Sequence, residues 1–149
     1  MIHTFKYNHK PGIEKYLSKL ICNFVHHYHI PVTHCDYVIP IPLSYAKLRE
    51  REFNQAQLLA DTLAKHFGLP LLDDNLNRLR DTVSQTELDK QSRWRNIQGA
   101  FGLKSTAAMK EKTILLIDDV LTTGATASEA ALTLKNAGAK AVFVLTVAS

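Results

Sequence analysis

The sequence predicts an α/β fold with a central, mainly parallel sheet flanked by helices. Three observations predict it. Residues 113–117 (TILLI) are a short, continuous apolar run, the pattern of a strand covered on both faces. A helical pattern follows over residues 125–136, with Gly138 at the position after its end. A second apolar run then spans residues 141–147. Strand, helix and strand within this length make a βαβ unit, whose strands run parallel with a right-handed crossover.

The remaining elements are predicted in chain order. Pro11 opens a helix in which Ile13, Leu17, Leu20, Ile21, Phe24, Val25 and Tyr28 recur at three- and four-residue spacing, leaving one apolar face. Pro31 lies just beyond its end. Tyr37-Val38-Ile39-Pro40-Ile41-Pro42 reads as extended, because each proline biases its predecessor away from helix. Residues 44–53 read as a charged loop. Residues 54–67 read as a helix with Asn54 as N-cap, a buried stripe of Ala56, Leu59, Ala60, Leu63 and Phe67, and a stop at Gly68 and Pro70. Residues 71–101 are polar and arginine-rich, and short strands around a mobile loop are expected there.

A chain of 149 residues, 46% hydrophobic and 21% charged, fits one domain with one sizeable core. No run approaches the roughly 18 apolar residues of a membrane span, and no apolar stretch follows the first basic residues as in a secretory signal. A cytoplasmic location is the default expectation. The net charge of +4 suits phosphate ligands and is too small to indicate nucleic-acid binding by itself. Cys22 and Cys35 belong to no CxxC pair and are expected to stay thiols. His26 and His27 are adjacent and face different directions on a helix, and no HExxH occurs, so no metal ligands are expected from the protein.

The chemistry concentrates in Ile114-Leu115-Leu116-Ile117-Asp118-Asp119-Val120-Leu121-Thr122-Thr123-Gly124-Ala125-Thr126. A buried strand ends in two carboxylates, and a turn of small and hydroxylated residues leads into a helix. Ligands of open α/β sheets bind beyond the carboxyl ends of strands. The helix start offers bare N–H groups and the positive end of the dipole to a phosphate. Thr122, Thr123 and Thr126 add hydroxyl donors, and Gly124 lets the backbone approach closely. Two carboxylates would repel a phosphate beside them, so Asp118 and Asp119 are assigned to the hydroxyls of a sugar. Acceptors for a diol and donors for a phosphate in one loop describe a ribose 5-phosphate. Asp-rich turns are common as simple caps, but a cap needs one Asp and leaves the threonine–glycine–threonine cluster without a role. Neither GxxxxGK[ST] nor GxGxxG is present.

This segment resembles the signature of type I phosphoribosyltransferases, which bind 5-phosphoribosyl-1-pyrophosphate (PRPP). Further stretches narrow the resemblance to the ComF family: Phe5-Lys6-Tyr7, Val38 to Leu43, Arg51-Glu52-Phe53-Asn54-Gln55, Arg78 to Gln85, and Arg93-Trp94-Arg95-Asn96 leading to Ala100-Phe101. Members of that family usually carry an N-terminal four-cysteine zinc module, and this sequence resembles the phosphoribosyltransferase-like domain alone. The family also often has glycine where Glu52 stands. The resemblance implies one domain over residues 1–149, with residues 1–36 as a hood over the acceptor and residues 37–149 as the core. It assigns PRPP to Asp118, Asp119, Thr122, Thr123, Gly124, Ala125 and Thr126, with the two acids as catalytic candidates.

All six arginines fall between Arg49 and Arg95, whereas the lysines are spread along the chain. Arginine suits bidentate recognition of phosphate. By resemblance, the loop after the first core strand contacts pyrophosphate and a mobile loop over residues 81–96 closes on it. The candidates are Lys47, Arg49 and Arg51 in the first, and Arg80, Lys90 and Arg93 in the second. The same resemblance implies Mg²⁺ carried by PRPP, a strained or cis peptide near Pro42, and an association with DNA or DNA-uptake proteins. A homo-oligomer is also compatible with it. The expected function is Mg²⁺-dependent phosphoribosyl transfer to an unidentified acceptor; the alternative is a non-catalytic PRPP- or nucleotide-binding accessory of DNA uptake.

Overall fold

The computed structural model describes residues 13–80 and 90–148. In chain order the elements are α1 (Ile13–His27), β1 (Tyr37–Pro40), α2 (Tyr45–Arg51), α3 (Gln55–Phe67), β2 (Leu76–Arg78), α4 (Lys90–Ile97), β3 (Phe101–Leu103), β4 (Thr113–Val120), α5 (Ala125–Asn136) and β5 (Ala141–Ala148). The central sheet has the order β1-β4-β5, with both pairings parallel. The register sets Val38 beside Leu115 and Leu115 beside Phe143. A parallel bridge adds Leu71 next to Val38. The expected parallel strands around α5 are present. Pro11 lies outside the described residues.

Strand β4 explains why its sequence is apolar without alternation. Side chains of a strand alternate between faces, and both faces of β4 are covered. Leu115 and Ile117 pack with Leu17, Ile21 and Val25 of α1 and with Leu59 and Leu63 of α3. Ile114 and Leu116 pack with Ala127, Ala130 and Leu134 of α5 and with Leu76, Ile97 and Phe101. Each of these large side chains contributes about 1.5–3 kcal/mol when fully buried, so the middle of β4 is held from two sides. At its start, the Asp36 carboxylate accepts from the Thr113 amide at 2.7 Å and from Lys112 Nζ at 3.3 Å. Those bonds, the Thr113 amide foremost, hold Asp36 below the usual carboxylate range. The strand that carries the two acids is thus held at its start and through its middle.

Helix α3 begins and ends where its sequence signals lie. Asn54 Oδ1 accepts from the Ala56 amide at 3.1 Å, and Gly68 closes the helix at φ 65°.

The expected loop over residues 44–53 is corrected by the structure, which folds most of it as α2. Ser44 caps it, Oγ accepting from the Lys47 amide at 3.4 Å. The helix buries no residue, so it carries none of the apolar periodicity by which a helix is recognised. Its C-cap is Glu52, at φ 64° in the left-handed region. That conformation costs an L-residue roughly 1–2 kcal/mol and costs glycine little. The glycine expected at this position therefore serves backbone shape. We expect Glu52→Gly to raise the unfolding free energy by about 0.5–1 kcal/mol after glycine's own entropy cost. Urea unfolding measures this, and an unchanged or lower midpoint would count against the assignment.

Residues 71–101 hold the expected short strand β2, while its antiparallel partner β3 only begins at Phe101 and runs past that stretch, with Arg78 beside Phe101. Residues 81–89 lie outside the described residues, while the second half of the expected loop is the helix α4. No peptide bond among the described residues is cis.

Candidate functional site

The carboxyl ends of β1 and β4 open onto a solvent-exposed pocket with a cavity volume of about 110 Å³. Its lining includes Pro42, Lys47, Arg51, Asn54, Arg78, Asp118, Asp119, Thr122 and Thr126. This is where the topology of an open α/β sheet places ligands. A second cavity lies between Phe24, Ile30 to Val32, Cys35, Leu115 and the middle of β5, and it is lined almost entirely by apolar side chains. It offers no charged group to a phosphorylated ligand. Burial pushes up the thiol pKa of Cys35, and that of Cys22, keeping both unreactive near neutral pH.

Asp118 and Asp119 lie near the end of β4, just before Val120, half-buried in the pocket wall. Asp118 Oδ1 accepts from the Asp119 amide at 2.9 Å, and Asp119 Oδ1 from the Val120 amide at 2.8 Å. These local bonds hold the carboxylates against the turn.

The turn then reaches α5 through Gly124, at φ 76°. Helices α2 and α3 have side-chain caps, from Ser44 and Asn54, but α5 has none. Thr123 Oγ1 accepts from the Ala125 amide at 3.4 Å, and Ala125 is buried. The amides of Thr126 and Ala127 take no hydrogen bond among the described residues, as expected for the first turn of a helix. Thr122 and Thr126 line the pocket.

Helix geometry sorts the basic candidates. Lys47 and Arg51 are four residues apart, so they share one face of α2. Both line the pocket and both are half-buried. Arg49 stands two residues from each, about 200° round the helix. It is exposed, with its guanidinium carbon 5.0 Å from the Tyr45 ring centroid. Arg80 lies outside the pocket lining as well, exposed and donating from Nη2 to the Gln98 carbonyl at 2.5 Å. Lys90 and Arg93 sit in α4, and their side chains are not among those described.

Sequence reasoning did not select Arg78, which the structure brings to the pocket. It ends β2, and its guanidinium carbon lies 5.7 Å from the ring centroid of Phe101 on β3. The signal that finds it is the β2–β3 pairing, which joins residues more than twenty positions apart. Among the described residues, the pocket lining thus carries three cations, Lys47, Arg51 and Arg78, together with two acids.

Comparison with known proteins agrees with this architecture. A family model described as the phosphoribosyl transferase domain matches residues 54–149. Competence protein F of Haemophilus influenzae is 29% identical over 97% of the chain, and DNA utilization protein YhgH of Escherichia coli K12 is 31% identical over 97%. The chain spans only 64% and 63% of those two relatives. Among solved structures, the allosteric regulatory enzyme of purine biosynthesis aligns over 98% of the chain and 30% of its own, at a TM-score of 0.63 and 18% identity. Adenine phosphoribosyltransferase of Saccharomyces cerevisiae aligns over 95% of the chain and 71% of its own, at 0.57 and 17%. These two likenesses establish the type I phosphoribosyltransferase fold. The chain belongs to the phosphoribosyl transferase domain family, and within it to the ComF type.

Proposed function

We propose that this pocket binds PRPP and that the chain transfers its phosphoribosyl group to an acceptor nucleophile. The observation that carries the reading is the meeting of two carboxylates, a helix start without a side-chain cap and three cations in one pocket. The first amides of α5 and the hydroxyls of Thr122 and Thr126 hold the 5-phosphate, each bond to the charged group contributing about 1.5–3 kcal/mol. Asp118 and Asp119 accept from the ribose hydroxyls. Lys47, Arg51 and Arg78 face the diphosphate. The bond from ribose C1 to the diphosphate oxygen breaks, with the electron pair leaving on the diphosphate. A lone pair of the acceptor forms the new bond to C1, and the acceptor's proton passes to solvent. The chain's part is to hold the reactants in line and to place positive charge where the leaving group gathers negative charge.

The residues present fit Mg²⁺ carried on the substrate. Among the described residues, no group of three or more His, Cys, Asp or Glu converges. Mg²⁺ is commonly held by one or two carboxylates together with substrate phosphates, and Asp118 and Asp119 would supply them. When bound, the ion neutralises charge on the diphosphate.

Diphosphate release from PRPP and Mg²⁺, followed across a panel of bases and amines, tests the proposal. Acceptor-dependent release supports transfer. PRPP binding without release under any acceptor favours the second reading, a non-catalytic PRPP- or nucleotide-binding accessory of DNA uptake. The names of the relatives, competence protein and DNA utilization protein, speak for that reading. Within α2 the two arginines should separate. Arg51→Ala is expected to weaken PRPP binding about 10- to 100-fold, and Arg49→Ala to leave it within about twofold. Calorimetry on both variants decides this, and equal losses would contradict the placement of α2.

A further inference from the structure

Gln55, the first residue of α3, is fully buried at 0% exposure. Neither its Nε2 nor its Oε1 has a hydrogen-bond partner among the described residues. A buried amide without partners destabilises a fold, and native chains rarely keep one without cause.

Its position indicates the cause. Asn54 Nδ2 donates to the Ile41 carbonyl at 3.0 Å, which seats the start of α3 against the segment leaving β1. Ile41, Pro42, Leu43 and Asn54 all line the pocket. Along α3, Gln55 precedes Leu59 and Leu63 by four and eight residues, so it continues the stripe that packs on Leu115 and Ile117. Strand alternation puts Asp119 on that same side of β4. Helical side chains lean toward the helix N-terminus. Gln55 therefore lies at the pocket end of the seam between α3 and β4.

The segment leaving β1 has groups that match it. Both backbone groups of Ile41 are engaged, its amide donating to the Ile117 carbonyl at 2.8 Å and its carbonyl accepting from Asn54. The Ser44 carbonyl accepts from the Leu48 amide at 2.9 Å. Between them, no backbone–backbone hydrogen bond engages the Leu43 amide or carbonyl among the described residues. A glutamine amide offers one donor group and one acceptor group, the complement of that amide and carbonyl.

We propose that Gln55 is a positioning residue for the diphosphate-facing segment, an inference that rests on the PRPP reading. Its amide is kept without partners in the free chain and bonds to the Leu43 backbone when the ligand draws residues 42–44 inward. The free chain then carries a destabilising group whose bonds form only in the complex, so binding is coupled to closure of this segment.

Gln55→Met, of similar length and without polar hydrogen-bonding groups, tests this by thermal unfolding without ligand and by calorimetry with PRPP and Mg²⁺. The unfolding midpoint is expected to rise by about 2–4 °C, while PRPP affinity falls at least about tenfold. A residue that merely packs would give a lower midpoint with affinity retained. A Met variant that unfolds at lower temperature or fails to fold overturns the inference. So does one that binds PRPP as tightly as the parent chain, with the PRPP reading left standing. A parent chain that takes up no PRPP overturns the reading itself and the inference with it.

Discussion

Gly124→Val is expected to lower PRPP affinity at least about 100-fold while the chain still folds. Gly124 stands at φ 76°, between the threonine turn and α5. A Cβ built there meets only Leu121 Cδ1, at 3.9 Å, so the free chain has room for it. The cost comes from the backbone. A β-branched residue disfavours the left-handed region by roughly 1–2 kcal/mol, and relief of that strain turns the Thr126 and Ala127 amides away from their common target. Loss of two amide bonds to a charged phosphate corresponds to about 3 kcal/mol or more, beyond a factor of 100. Calorimetry on the folded variant measures it. A valine variant that folds and binds PRPP as tightly as the parent chain would show that the phosphate does not sit at the start of α5.

The second large effect is expected from Asp118→Asn combined with Asp119→Asn. The fold should survive, because the oxygens of these side chains accept from the amides of their own successors, at 2.9 and 2.8 Å. An asparagine carbonyl can accept in the same way. What changes is the acceptor strength offered to ribose hydroxyls, since hydrogen bonds to ionised groups are about twice as strong as neutral ones. PRPP affinity is expected to fall about 100-fold. Binding of inorganic phosphate should rise, because two negative charges leave a pocket that keeps Lys47, Arg51 and Arg78. Competition of both ligands against one reporter gives the two signs together. Unchanged PRPP affinity would remove the ribose role from these acids.

The parts of the fold legible in the sequence are those whose signal is local. Strand β4, the turn and α5 lie within about 25 consecutive residues, and each announces itself by burial, glycine or periodicity. Helix α3 is legible from Asn54 and Gly68 for the same reason. Helix α2 was not, because Tyr45 and Leu48 are its only large apolar residues and both remain exposed. Without that helix, Lys47, Arg49 and Arg51 formed one basic cluster; with it, the 100° step per residue divides them. Arg78 and Arg80 look equivalent in sequence, and only the pairing of β2 with β3 separates the residue in the pocket from its exposed neighbour. Gln55 was visible as a letter in a family motif, but its burial without partners depends on how α3 meets β4.

The central claim is that PRPP binds where β4 meets α5. Backbone amide shifts on titration with PRPP and Mg²⁺ test it most directly. The largest changes are expected at the Asp119, Thr122, Thr123, Gly124, Ala125, Thr126 and Ala127 amides, with smaller ones at Lys47 and Arg51. The amides around Phe24, Val32 and Phe143, which border the apolar cavity, should stay still. Saturable shifts centred on that cavity, or no shifts from Asp119 to Ala127, would contradict the account.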